Sequence, residues 1–193
     1  MRRNVMATAL AAVAAMGFGV AAAADDYNID PVHSGVTFQI THLDLTYVHG
    51  RFDDFAGSLS LDPSDSSKSS VKMTIKTGSI DTNNVLRDTH LKNPDYFNAT
   101  QYPTIEFAST SVSPIQDGYA VKGNLTLHGE TKPLAFELKG GKTAEFPKGV
   151  HRIGFTTRFK VKRSEFGISP RTPPSVLGDD VWVDIGFEAV KKK

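Results

Sequence analysis

The feature that most constrains this chain is alternation with a period of two. Val36, Phe38 and Ile40 alternate with Thr37, Gln39 and Thr41. Phe55, Gly57, Leu59 and Leu61 alternate with Ala56, Ser58 and Ser60, and Val71, Met73 and Ile75 with Lys72, Thr74 and Lys76. The same rhythm places Ile105 and Phe107 around Glu106, and runs through Val121, Leu125 and Leu127. It returns in Leu134, Phe136 and Leu138, from Ile153 to Val161, and in Val181, Val183, Ile185 and Phe187. A strand turns successive side chains to opposite faces, so each run predicts a strand with one buried face. Turn residues such as Gln116-Asp117-Gly118, His128-Gly129-Glu130 and Gly140-Gly141 separate the eight runs, mostly at hairpin spacing.

Eight strands with one apolar face each must close or pair as two sheets. Closure removes exposed edges, so the expected fold is all-β: an eight-stranded antiparallel β-barrel. A barrel of this size is either filled by its own side chains or holds one small ligand. The eleven residues from Arg152 to Lys162 would span roughly 33–37 Å at about 3.3 Å per residue, enough for an elongated interior. Inward aromatic residues suit an apolar ligand and an ordinary core equally. Between Ile80 and Pro103 the alternation stops. Asp81-Thr82-Asn83 offers helix-capping oxygens ahead of Leu86 and Leu91, and Asn93-Pro94-Asp95 can start a second turn. One or two short crossover helices are therefore expected over residues 83–98.

The first 24 residues stand apart. Arg2 and Arg3 precede an apolar run from Val5 that ends in Ala22-Ala23-Ala24, the pattern of a signal peptide cleaved near Ala24. Residues 25–193 are then one domain, exported to an extracytoplasmic compartment. Loss of Arg2 and Arg3 turns the formal charge of the 193-residue chain from +1 to −1. No surplus of base is left for non-specific nucleic-acid binding. The chain has no cysteine, which excludes disulfides, thiolate metal sites and a catalytic thiol. After cleavage no apolar run is long enough for a transmembrane helix. Lys191-Lys192-Lys193 is a solubilising tail or a point of transient contact with anionic membrane lipid.

Motifs for catalysis are weak. Gly141-Lys142-Thr143 lacks the glycine of a phosphate loop, since Phe136 stands there. His128-Gly129-Glu130 lacks the two cysteines of a zinc deaminase. The six histidines are scattered without ligand spacing, so no metal site is expected. His42 continues the inward parity of Ile40, as a core histidine or as a ligand contact. Arg87 and Asp88 read as a structural pair or as part of a site.

A set of ordered blocks carries a resemblance. These are His33-Ser34-Gly35-Val36-Thr37-Phe38, Val48-His49-Gly50-Arg51-Phe52, and Thr82 to Leu91 with its Arg87-Asp88-Thr89-His90-Leu91 core. They continue with Tyr102-Pro103-Thr104-Ile105-Glu106-Phe107, Gly123 to Gly129 with Lys132-Pro133, Arg163 to Ile168, and Gly178-Asp179-Asp180-Val181. Their order and spacing resemble the YceI-like family of lipid-binding, polyisoprenoid-associated periplasmic proteins. The resemblance implies a lipocalin-like barrel with an apolar tunnel. Its ligand would be a long amphiphile: a polyprenyl chain, a prenyl-quinone or a fatty-acid derivative. It implies no catalytic residue, no metal, no required cofactor and a periplasmic location.

On that basis the expected tunnel wall is Phe38, Ile40, Phe52, Phe55, Leu59, Met73, Ile75, Phe107, Leu125, Phe136, Phe155, Phe159, Val183 and Ile185. His42, Arg87, His90 and Arg163 are the expected polar contacts at the mouth, where arginine can hold an anionic head and histidine a quinone oxygen. The expected function is carriage or sequestration of the lipid. Two other readings stay open: a lipid-modifying enzyme using His42 beside an inward Ser or Thr, and a filled barrel that binds proteins through its surface. Monomer and homodimer are both compatible, with Trp182 and Tyr47 as candidate pairing residues.

Overall fold

The computed structural model describes residues 24–62 and 64–193, so residues 1–23 of the expected signal peptide lie outside the described residues. The elements are β1 (Asp25–His42), β2 (Thr46–Phe52), β3 (Phe55–Leu61), β4 (Ser70–Lys76), β5 (Ile80–Asp81) and α1 (Val85–Leu91). They continue with β6 (Thr104–Ile115), β7 (Gly118–Leu127), β8 (Glu130–Glu145), β9 (His151–Lys162) and β10 (Leu177–Lys191). Eight strands close a ring in the order β1, β3, β4, β6, β7, β8, β9, β10, with β10 pairing back onto β1. The expected antiparallel barrel is therefore present, with one short helix.

Two strands lie outside the ring. β2 pairs with the second half of β1, from Val36–Phe52 to His42–Thr46, while β3 takes the first half. The short β5 pairs with β2 through Arg51–Asp81 and Phe52–Ile80. Alternation had not marked β2, because its inward positions are Val48, Gly50 and Phe52, and the glycine interrupts the apolar series.

Several strands are longer than their alternation suggests, and the cause is β-bulges. On β1 the buried residues are Tyr27 and Ile29, then Val36. The register shift between Asp30 and Gly35 reverses which parity points inward. Shifts at Ser109–Ser111 and Gly140–Lys142 do the same on β6 and β8.

Asn84 caps α1 by accepting from the Arg87 amide at 3.0 Å. A second helix does not form. Residues 93–102 are hydrogen-bonded turns instead, among them Tyr96 N to Asn93 O at 3.0 Å and Tyr102 N to Asn98 O at 2.8 Å. This crossover lies over the barrel end formed by His42, Val161 and Leu177. The opposite end is packed solid: Leu59, Val112, Val121 and Ala189 are all essentially inaccessible and none of them lines a cavity.

Candidate functional site

The interior is filled at one end and hollow at the other. A cavity of about 390 Å³ occupies the half beneath the crossover. An apolar cavity of about 150 Å³ already stays dry and binds benzene, so this volume suits a larger apolar guest. Two aromatic series line it. One runs Phe38, Phe52, Phe97, with ring centroids 5.6 and 5.9 Å apart. The other runs Phe107, Phe136, Phe159, at 5.1 and 5.3 Å. All of these rings except Phe52 are only partly buried by protein, because the cavity lies against them.

Of the residues expected from sequence, Phe38, Ile40, Phe52, Met73, Ile75, Phe107, Leu125, Phe136, Phe159, Val183 and Ile185 line the cavity. Phe55, Leu59 and Phe155 do not; they are packed core. Phe155 stands against Tyr119 and Phe187 at 5.9 and 5.6 Å, in the filled end. Alternation reports which face a residue occupies, not how far along the barrel axis it sits. The sequence reading missed Val48, Leu91, Tyr96, Phe97, Leu134 and Val161, among others. Leu134 and Val161 share the inward parity of Phe136 and Phe159, so alternation already turns them to the interior. Tyr96 and Phe97 belong to turns, where no periodicity points inward.

Polar groups gather at the open end. His42, Arg87 and His90 are the exposed members of the lining and mark where the cavity meets solvent. His90 stacks edge-on against Tyr96 at 4.8 Å. Arg87 is positioned by Thr82: its Nε donates to Thr82 Oγ1 and an Nη to Thr82 O, both at 2.7 Å. The Thr82 hydroxyl in turn donates to Asp88 Oδ1 at 2.5 Å. That hydrogen bond, above all, holds the Asp88 carboxyl below the usual aspartate range. Thr82 thus bridges Arg87 and Asp88, which form no direct ion pair. Among the described residues the second Nη of Arg87 has no partner, so one cationic N–H face stays available at the mouth.

Arg163 lines the same cavity but offers nothing to a ligand. It is 4% exposed, and its five N–H groups are used on backbone carbonyls. Nε donates to Gly178 O at 2.9 Å; one Nη donates to Ile168 O and Ser169 O at 3.1 and 2.5 Å; the other donates to Thr172 O and Leu177 O at 2.7 and 2.8 Å. It holds the loop before β10, correcting its expected place among the mouth contacts. His42 has no hydrogen-bonded serine or threonine among the described residues, so the sketched nucleophile pair is not assembled there.

Residues 27–189 match the model of the YceI-like domain. The chain belongs to the YceI-like family. It is 37% identical to a UPF0312 protein of Vibrio cholerae over the full length of both chains. A crystal structure of the Campylobacter jejuni YceI protein superposes with a TM-score of 0.71 at 32% identity, covering 79% of this chain and 90% of that one. A domain from Saccharophagus degradans, described as polyisoprenoid-binding, shares the fold with a TM-score of 0.64 at 15% identity, over 86% of this chain and 98% of that one.

Proposed function

We propose that this YceI-like protein is a periplasmic carrier of a long-chain amphiphile, with the chain in the cavity and the head at the His42–Arg87–His90 mouth. The observation that carries the reading is the division of the barrel into a solid end and an apolar hollow of about 390 Å³ lined by two aromatic series. A filled-core barrel would have no such hollow. The family and the polyisoprenoid-binding description of the Saccharophagus domain support a lipid ligand and binding rather than turnover. A polyprenyl, prenyl-quinone or acyl chain satisfies the wall equally, because each buried methylene adds a similar increment, about 0.8 kcal/mol. No protein cofactor is required. Export through residues 1–24 would place the barrel where such a chain needs shielding from water.

Native mass spectrometry of protein purified without detergent tests this. The expected result is a stoichiometric adduct of several hundred daltons, on the order of one long lipid chain, lost on denaturation. Met73→Trp, placed in the hollow half, should reduce that occupancy while the barrel still folds. A clean apo mass in repeated preparations would reject carriage.

A further inference from the structure

Nine large hydrophobic residues are exposed among the described residues, and six of them sit on the segments that carry the mouth: Leu43, Leu45 and Tyr47 on the hairpin after His42, Val85 and Leu86 in the first turn of α1 before Arg87, and Val176 just before Leu177. Leu43 directly follows His42, and its amide donates to Val176 O at 2.9 Å. Leu86 directly precedes Arg87. Leu45 and Leu86 are 79% and 84% exposed. They project from a tight hairpin tip, where Leu43 and Asp44 take positive φ, and from the first turn of α1. Unlike these, Trp182 is covered, with Arg158 and Lys160 at 5.0 and 5.5 Å from its ring.

We propose that this rim is a membrane-docking surface, and that its occupant is the acyl layer of a lipid bilayer. The proposal rests on the carrier reading, and continuity with the mouth chooses the occupant. A chain leaving the cavity between His42 and Arg87 must cross this ring of apolar side chains. If the ring is seated in acyl chains, the transfer avoids water. The projections stand singly on convex tips either side of the opening. Such tips insert into a fluid layer without needing a complementary shape, whereas a second copy of the chain seated there would block the opening. Base and acid are mixed on these segments: Arg87 and Lys92 lie close to Asp88, which Thr82 also holds, Arg171 stands 3.9 Å from Asp95, and the hairpin tip adds Asp44. Docking is therefore apolar and insensitive to salt.

The test is flotation with phosphatidylethanolamine–phosphatidylglycerol vesicles. It uses residues 24–193, which contain the whole closed sheet and its core. The double variant L45E/L86E is compared with V32E, a control 81% exposed in the mid-strand bulge of β1, away from the rim. The wild type and V32E should float in low and high salt. L45E/L86E should partition at least about tenfold less, the loss expected when two leucines no longer leave water. Should the glutamates lower the unfolding temperature, L45S/L86S repeats the comparison with smaller polar groups. A wild type that does not float, variants that float as well as it does, or flotation abolished by salt would each overturn the proposal. So would a wild-type dimer, seen by light scattering, that L45E/L86E dissociates. Binding of a fluorescent fatty acid in vesicle-free buffer reads the cavity separately. L45E/L86E should retain it, and loss of it in the wild type would reject carriage without deciding the flotation result.

Discussion

The Phe38 ring lies over the bare Cα of Gly50, its register partner across β1 and β2. A Cβ at Gly50 would come within 2.7 Å of Phe38 Cε1 and 2.9 Å of Thr82 Cγ2. The glycine lets Phe38 lie back against the wall and leaves the hollow open. Gly50→Ala should push the ring into the cavity, destabilising the fold by about 1–3 kcal/mol through overpacking and lowering lipid occupancy. Urea unfolding and native mass spectrometry read the two effects; an alanine variant that matches the wild type in both removes this role from Gly50.

Asp30, in the middle of β1, ties that strand to β9 and β10. Arg152 donates to its Oδ2 at 2.6 Å and to Glu188 at 3.1 Å, and His33 Nδ1 lies 2.8 Å from Asp30 Oδ2. The Arg152 hydrogen bond, then that of His33, lowers the Asp30 carboxyl from about 3.8 to about 2. A depressed carboxyl stabilises the fold above its unfolded value, and that stability is lost as pH falls through the folded value. Stability should therefore decline between about pH 4 and about pH 2, the window set by Asp30. Asp30→Asn should be less stable at neutral pH yet show a shallower loss across that window. Denaturant unfolding at a series of acid pH values measures this, and identical acid slopes would refute it.

Much of this architecture is legible in the chain, and the gaps have definite causes. Parity alone turned Phe38, Met73 and Phe159 inward correctly. It shortened β1, β6 and β8, because a bulge reverses the inward parity and looks like the end of a strand. It hid β2, because the residue under Phe38 is a glycine. It could not separate Leu59 in the solid end from Phe159 in the hollow one, since depth along the axis depends on strand stagger. The role of Arg163 was equally out of reach: its partners are backbone carbonyls, set by the path of residues 168–178 and not by any side-chain type.

Arg87 and Arg163 should part clearly on mutation. Arg163→Ala takes a donor from five carbonyls, of which Ser169 O keeps the Thr172 amide, and opens a buried site, so it should cost at least about 3 kcal/mol. Arg163→Lys should rescue it poorly, since an ammonium has too few donors for that fork. Arg87→Ala should cost less, about 1–2 kcal/mol for its two hydrogen bonds to Thr82, and weaken an anionic-headed lipid relative to a neutral one of the same chain. Thermal unfolding and paired titrations with a fatty acid and its alcohol decide this. An Arg87 variant that weakens both lipids equally would show that its cationic head does not discriminate.

Thr157 puts a hydroxyl into the apolar wall. Its residue is 8% exposed, it lines the cavity between Phe155 and Phe159, and its Oγ1 has no hydrogen-bond partner among the described residues. A desolvated hydroxyl without a partner costs about 1–3 kcal/mol. Valine has nearly the same shape and no polar atom, so Thr157→Val should raise stability by about 1 kcal/mol. It should also tighten binding of a purely hydrocarbon chain, because the same surface then meets the ligand without an unsatisfied oxygen. Urea unfolding of the two proteins, with and without a long-chain alcohol, measures both changes. A less stable valine variant would mean that the hydroxyl is hydrogen-bonded in solution and helps hold the barrel together.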